Sequence, residues 1–365
     1  MSERKRCSGK TFLMGAGTAV LFFALFLRPE STSAAVTGAM RSYCTRLIPV
    51  LFPYMVLSHF YCTYGLLDPL DGLVPVGKLF GMGQGSFPVF LLGHLCGYPV
   101  GAKMAGELVR QGRLGKKQGA ILCAVSSGAS PAFLLYAVGD GLWQSVPFGG
   151  FLLGIQVLTG LLGGMVLGRT VAEEQTETVQ EGEEMPFARC FCEAVGGSAL
   201  QIVSIGGYIV FFSLLVEILP FPGEIGAFTA AVLEFSTGTR LAAETGGLRG
   251  LFCTGFAVGF GGLSVLAQTA HMLGGSGISL RPYGIFKLFS GILCGGLCVG
   301  YGLLFPALPA LRYVSAASDG VGDARWMAVF FGMLVILWYW GTFRKSHGGD
   351  FSKSYRADEN LPGRS

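Results

Sequence analysis

Residues Gly119 to Gly168 read GAILCAVSSGASPAFLLYAVGDGLWQSVPFGGFLLGIQVLTGLLGGMVLG, with Asp140 as the one Asp, Glu, Lys or Arg in the stretch. From Gly250 to Leu280 there is none. Such runs outlast the roughly 30 Å hydrocarbon core of a bilayer, which about 20 residues cross at 1.5 Å each. In lipid every backbone amide must be satisfied inside the spanning structure, which leaves helices or a closed barrel. These runs are continuously apolar and do not alternate, which excludes the barrel.

The rest of the chain agrees. Of 365 residues 51% are hydrophobic and 13% charged, against about 25% charged in soluble domains. That is too little polar surface for a water-soluble globule, so a soluble enzyme is excluded. The net charge of +4 lies in loops and tails, where it bears on orientation. Basic residues and aromatics share no patch, so no nucleic acid is expected. The lipid bilayer is the first partner implied. Cysteines such as Cys96, Cys123, Cys253, Cys294 and Cys298 sit in apolar runs without ligand spacing and read as small buried hydrophobes. His59, His94 and His271 are isolated. No metal site, cofactor or catalytic residue is assigned, and the absence of a P-loop argues against an ATP-driven pump.

Apolar runs predict helices near 11–28, 46–66, 119–139, 146–168, 196–219, 283–305 and 325–341, with runs at 85–108 and 251–273 interrupted by glycine or proline. The expected fold is an all-α polytopic membrane protein of about seven to nine transmembrane helices. It contains two broken or re-entrant segments and has room for a two-fold pseudo-repeat. Residues 1–28 form a first transmembrane helix, whose flank Arg4, Lys5 and Arg6 points to a cytoplasmic N-terminus. Its apolar run ahead of Ser33, Ala34 and Ala35 also resembles a signal peptide, but the many later spans favour an uncleaved helix. Residues 29–168 form the first membrane half, 169–195 an acidic loop carrying Glu173 to Glu193, 196–341 the second half, and 342–365 a polar tail of disordered composition. Arg110, Arg113, Lys116 and Lys117 are cytoplasmic if 85–108 is a re-entrant hairpin. Arg240, Arg249, Arg281 and Lys287 favour cytoplasmic loops on both sides of 251–273, whereas an inverted repeat wants the opposite side.

Three interruptions carry the candidate chemistry. In Gly97-Tyr98-Pro99-Val100-Gly101-Ala102-Lys103, Tyr98 before proline is pushed to an extended conformation and Pro99 suits a helix start. Lys103 then shares a face with Glu107 and Arg110, so a helix N-terminus and a cation together make an anion site. A kinked helix whose Lys103 snorkels to the interface fits the same residues. In Ser126-Ser127-Gly128-Ala129-Ser130-Pro131, Ser130 is an N-cap and Pro131 a first helical residue. Its hydroxyls serve a ligand or merely repair a kink. Gly261-Gly262-Leu263-Ser264 through Gln268 interrupts the second half. Laid on the first break, Gly262 falls on Gly97 and Gln268 on Lys103, and interrupted segments at corresponding places point to a transporter's midplane site. Glu234, in a mostly apolar segment, is a coupling candidate or a plain helix-end carboxylate.

The run Ile48 to Pro53, Gly97 to Lys103, Ser127-Gly128 and Gly261 to Gln268 together resemble the YlbJ family of sporulation integral membrane proteins, also called SpoVV, with their nucleoside-recognition Gate segments. The likeness covers roughly residues 40–305. Where the family has Asn-Ser-Gly-Pro, this chain reads Ser126 to Pro131. The resemblance implies a carrier of dipicolinate in the outer forespore membrane of sporulating cells. It implies a small anionic substrate held by Lys103 and the amides after Tyr98, with Ser127, Ser130, Ser264 and Gln268 donating. A nucleoside carrier and a non-transporting scaffold acting through the acidic loop are the alternatives, and a homo-oligomer is compatible with each.

Overall fold

The computed structural model describes residues 9–64, 80–82, 85–171, 186–219 and 221–306. The expected span at 325–341, the tail from 342 and the acidic stretch 172–185 lie outside the described residues. Every regular element among the described residues is helical. The chain runs through α1 (Gly9–Leu27), α2 (Pro29–Ser42) and a π-helical turn (Tyr43–Leu47) into α3 (Ile48–Tyr64). Two broken pairs follow, α4 (Ser86–Cys96) with α5 (Val100–Arg110), and α6 (Lys116–Ser126) with a π-helical stretch (Phe133–Leu142). Then comes the uninterrupted α7 (Val146–Gly168). The second half holds α8 (Phe187–Ile218), the pair α9 (Gly223–Leu233) and α10 (Phe235–Thr245), the pair α11 (Gly247–Phe260) and α12 (Gly262–Met272), and α13 (Leu280–Leu304).

The protein is a polytopic helical membrane protein. The α7 helix, α8, the α11–α12 pair and α13 are each long and apolar enough to cross a bilayer, and α1 with α2, bent by 96°, is a fifth candidate. Outward faces are apolar, as at Phe26, Leu200, Val203, Ile285 and Leu303, which suits hydrocarbon rather than water. The apolar segments Ser86–Cys96, Phe133–Leu142 and Gly223–Leu233 are half-length. An 11-residue helix such as α4 reaches only about 16 Å. The apolar run at 119–139 is divided at residues 127–130, where Ser130-Pro131 signals a break, and the pair α9–α10 has no counterpart among the predicted runs. The reason is composition: α10 carries Ser236, Thr237, Thr239, Arg240 and Glu244, which dilutes the apolar signal below that of a span.

The order of elements repeats. Each half has one long helix (α3 or α8), two broken pairs, and a closing long helix (α7 or α13). The first pairs match in length, 11 and 11 residues in both halves. Chain order therefore sets the break at Gly261 opposite 127–130, and that at Glu234 opposite 97–99, a different register from the expected alignment of Gly262 with Gly97. The corresponding helices α3 and α8 run antiparallel: Phe60 stacks on Phe187 while Tyr43, earlier in the chain, reaches the carbonyl of Ile202. Antiparallel counterparts are what an inverted repeat requires.

Two packed cores result. One gathers Met55, Phe90, Val100, Met104, Leu122, Tyr283 and Phe286; the other gathers Tyr98, Ala129, Trp143, Phe148, Leu152, Val258, Val265 and Cys294. On α13, Lys287 lies just after Phe286 of the first core and ahead of Cys294 of the second. On α7, Gln156 follows Ile155 of the second core and precedes Val157, which packs against the first. Glycines bring α11 and α13 into close contact, with Gly255 and Gly259 against the carbonyls of Cys294 and Ser290, the small-residue packing that membrane helices use.

Candidate functional site: the junction of the helix breaks

The four breaks meet at one place. At Gly97 the backbone has φ 83°, and a Cβ there would lie 2.9 Å from the amide nitrogen of Ser130, so the first break touches the second. At Gly261, also φ 83°, a Cβ would lie 3.1 Å from the Tyr98 hydroxyl, so the third break touches the first. A Cβ on Gly262 would lie 3.2 Å from the carbonyl of Leu233 and from the amide of Phe235, which flank Glu234 in the fourth. The rings of Phe235 and Tyr98 are 5.6 Å apart, and those of Phe133 and Phe235 are 5.0 Å apart.

Each break is built from local chemistry. The Tyr98–Pro99 peptide is cis, and Pro99 caps α5 rather than opening it. The Lys103 amide closes the first turn onto the Pro99 carbonyl. In the second break Ser130 accepts from the Phe133 amide at 3.3 Å, acting as an N-cap. The freed peptide of Ala129 is clasped by Gln156 of α7, which accepts from its N–H at 2.8 Å and donates to its C=O at 2.9 Å. Glu234 is buried and caps α10: its carboxylate accepts from the amides and hydroxyls of both Ser236 and Thr237, at 2.7 to 3.1 Å. Four donors occupy the lone-pair sites of a carboxylate.

At the centre stands a residue that sequence reasoning placed in a loop. Lys287 lies inside α13, 2% exposed, and donates to the Tyr98 hydroxyl and to the Ser127 carbonyl, both at 2.9 Å. Its ammonium also sits 5.1 Å from the Tyr98 ring centroid, within cation–π range. Tyr98 in turn donates a hydrogen bond to the Val258 carbonyl at 3.2 Å. Lys287 thus joins the first two breaks from the second half of the chain. Other ionisable groups that bear on it are the thiols of Cys123 and Cys294 and the ring of His94, and among the described residues no carboxylate pairs with it. As an orientation marker Lys287 is corrected: it is a core residue of a spanning helix. Arg240 and Arg249 likewise lie within helices, paired with Glu244 and Glu224. The available signal for Lys287 was its position within the 283–305 run, an ionisable group inside a span.

Around this cation lie buried polar groups. The hydroxyl of Ser126 is buried and makes no hydrogen bond among the described residues, and the hydroxyls of Thr269 and Tyr283 are buried next to each other. Tyr283 precedes Lys287 by one helical turn and lies beside the side chains of Thr269 and Ser127. Ser127 donates to the Cys123 carbonyl at 2.6 Å. Gly128 lies flat against Gln156, and Gly101 against Ser126. Ser264 and Gln268, on α12, are buried and bonded to each other at 3.1 Å. The junction therefore gathers Gly97, Tyr98, Pro99, Ser126, Ser127, Gly128, Ser130, Gly261 and Gly262, with Gly101 and Ser264 on the adjoining turns. Lys103 is elsewhere. Its ammonium donates to the Met55 carbonyl of α3 at 2.8 Å and to Ser198 of α8 at 3.4 Å, while Glu107 pairs with Arg110 at 2.9 Å.

Fold and site together define a class: a polytopic integral membrane protein whose interrupted helices converge on a buried polar junction. In sequence the chain is similar to the sporulation integral membrane protein YlbJ of Bacillus subtilis (strain 168), 23% identical over 332 residues, with 77% of this chain and 80% of that protein covered. No family model matches the chain, and no solved structure matches it.

Proposed function

We propose that this chain is a carrier for a small organic anion, that it shares a family with YlbJ, and that it serves in sporulation, moving dipicolinate across the outer forespore membrane. The observation that carries the reading is Lys287: a cation buried where the helix breaks meet, with no carboxylate beside it among the described residues. A charge out of water is costly unless paired, and an intramembrane ionisable group marks a substrate or ion path. A carboxylate-bearing solute supplies the missing counter-charge.

Neighbouring groups suit the same ligand. Ser126 holds a hydroxyl without a partner among the described residues, Thr269 and Tyr283 hold buried hydroxyls, and Ser127, Ser130 and the amides after Gly97 line the adjoining breaks. Interrupted helices in two related halves are the architecture by which secondary carriers expose a midplane site alternately to either side. Similarity to a sporulation integral membrane protein supports the sporulation setting.

The test is uptake of radiolabelled dipicolinate into proteoliposomes holding the purified protein, with a nucleoside in parallel. Saturable dipicolinate uptake that Lys287→Met removes is the expected result. Uptake of the nucleoside alone reassigns the cargo, and uptake of neither by folded protein across tested gradients favours the scaffold.

A further inference from the structure

A second polar locus lies apart from the junction, in the seam of α3, α5 and α8. Lys103 is its centre, 8% exposed. On α3, the Met55 carbonyl that accepts a hydrogen bond from it also accepts from Ser58, and His59 follows one turn later. On α8, Ser198 accepts from Lys103, and Gln201 follows within a turn. The Nε2 of His59 and the Oε1 of Gln201 are buried without a hydrogen-bond partner among the described residues. Because α3 and α8 run antiparallel, His59 and Gln201 flank Lys103 on opposite sides, and the polar groups form a line along the seam. One end of that line reaches Glu193, which bears on His59 together with Lys103 and Glu107. Glu193 and the Glu107–Arg110 pair are partly exposed.

The titratable and charged groups facing the two residues are Cys62 from α3, Glu107 and Arg110 from α5, and Glu193 from α8; α12 brings His271, whose ring meets Tyr208 of α8. The short helix α5 connects this seam to the junction. Tyr98, bonded to Lys287, stands just before its first turn, and the Lys103 amide bonds back to Pro99. The two lysines are thus linked through the N-terminal turn of α5, with Tyr98 just ahead of it and Lys103 within it. Glu234, the coupling candidate from sequence, spends its lone pairs on a helix cap.

We propose that Lys103 with His59 is the proton-coupling site of the carrier, separate from the anion junction and tied to it by α5. A proton leaves the Lys103 ammonium as the amine forms, is accepted by the unprotonated ring nitrogen of His59, and passes to the Glu193 end of the seam. Reloading Lys103 restores the starting state. The proposal rests on the carrier reading above.

The experiment has two arms. In proteoliposomes, dipicolinate exchange at equal pH and accumulation driven by an imposed pH gradient are measured for wild type, Lys103→Met, Lys103→Arg and His59→Gln. Each coupled proton supports about tenfold accumulation per pH unit. Wild type is expected to show both activities. The variants are expected to keep exchange and lose the gradient-driven part. Arginine matters here because it keeps the charge but does not release its proton. Gradient-driven accumulation retained in Lys103→Arg, or wild-type accumulation indifferent to pH, overturns the proposal. So does loss of exchange in folded Lys103 variants, which would put Lys103 in the anion site. The second arm needs no cargo. The thermal midpoint of detergent-purified protein is followed against pH, because a proton bound differently in folded and unfolded states makes stability depend on pH. A pH dependence in wild type that Lys103→Met lacks supports the site, and identical curves refute it. Absence of wild-type exchange with the expected midpoint difference counts against dipicolinate as cargo alone.

Discussion

The closing helices of the two halves, α7 and α13, occupy equivalent places and treat the breaks differently. Gln156 of α7 satisfies both backbone polar groups of Ala129 in its own half. Lys287 of α13 crosses into the other half, binds Tyr98 and Ser127, and carries a positive charge that no carboxylate among the described residues pairs with. A neutral amide closes a gap in the backbone, whereas an unpaired ammonium asks for a ligand. The pseudo-symmetric scaffold is therefore structural on one side and chemical on the other.

Breaking that comparison is most direct at Lys287. Lys287→Met is expected to weaken anion binding about a hundredfold, the size of effect seen when one member of a buried charge pair is truncated, measured by radioligand binding to purified protein. An unchanged affinity would falsify the chemical reading of α13. Gln156→Leu leaves two buried backbone groups unpaired, at about 1–3 kcal/mol each. Its thermal midpoint in detergent is expected to fall by more than that of any substitution named below. If instead Gln156→Leu stays stable and loses anion affinity, the roles of α7 and α13 are less distinct than the geometry says.

Smaller effects sharpen the picture of the breaks themselves. Gly261→Ala places a side chain at positive φ beside Tyr98, where an L-residue loses about 1–2 kcal/mol; a lower midpoint together with altered exchange is expected. Glu234→Ala removes a cap worth about 1 kcal/mol, and its midpoint should drop while pH-driven accumulation persists. Loss of that accumulation in a folded Glu234→Ala protein would return the coupling role to the junction. Arg240→Ala, which breaks an exposed pair with Glu244, should move the midpoint least, since such pairs contribute about 0.3–0.5 kcal/mol.

Several of these residues were visible in the chain. Pro99, Gly97, Ser130-Pro131 and Gly261 announce interruptions because each either lacks a donor, tolerates positive φ or caps a helix locally. Glu234 was visible as an ionisable group, but its role as a cap depends on the conformation of Ser236 and Thr237. The pair α9–α10 escaped notice because its second helix is nearly as polar as a surface helix.

Lys103 and Lys287 show where legibility ends. Each is one basic residue near an apolar run, and sequence spacing favoured Lys103 for the anion because it follows a break on the same helix. Which lysine meets the junction depends on which long-range neighbours surround each side chain: Met55 and Ser198 for one, Tyr98 and Ser127 for the other. By itself the sequence determined that the protein lives in a membrane, that it is helical, and that certain helices must stop midway, because hydropathy and backbone hydrogen bonding are local properties. Tertiary structure alone decided that four interruptions share one place and that a lysine from a distant helix fills it, because convergence arises from packing between segments far apart in the chain.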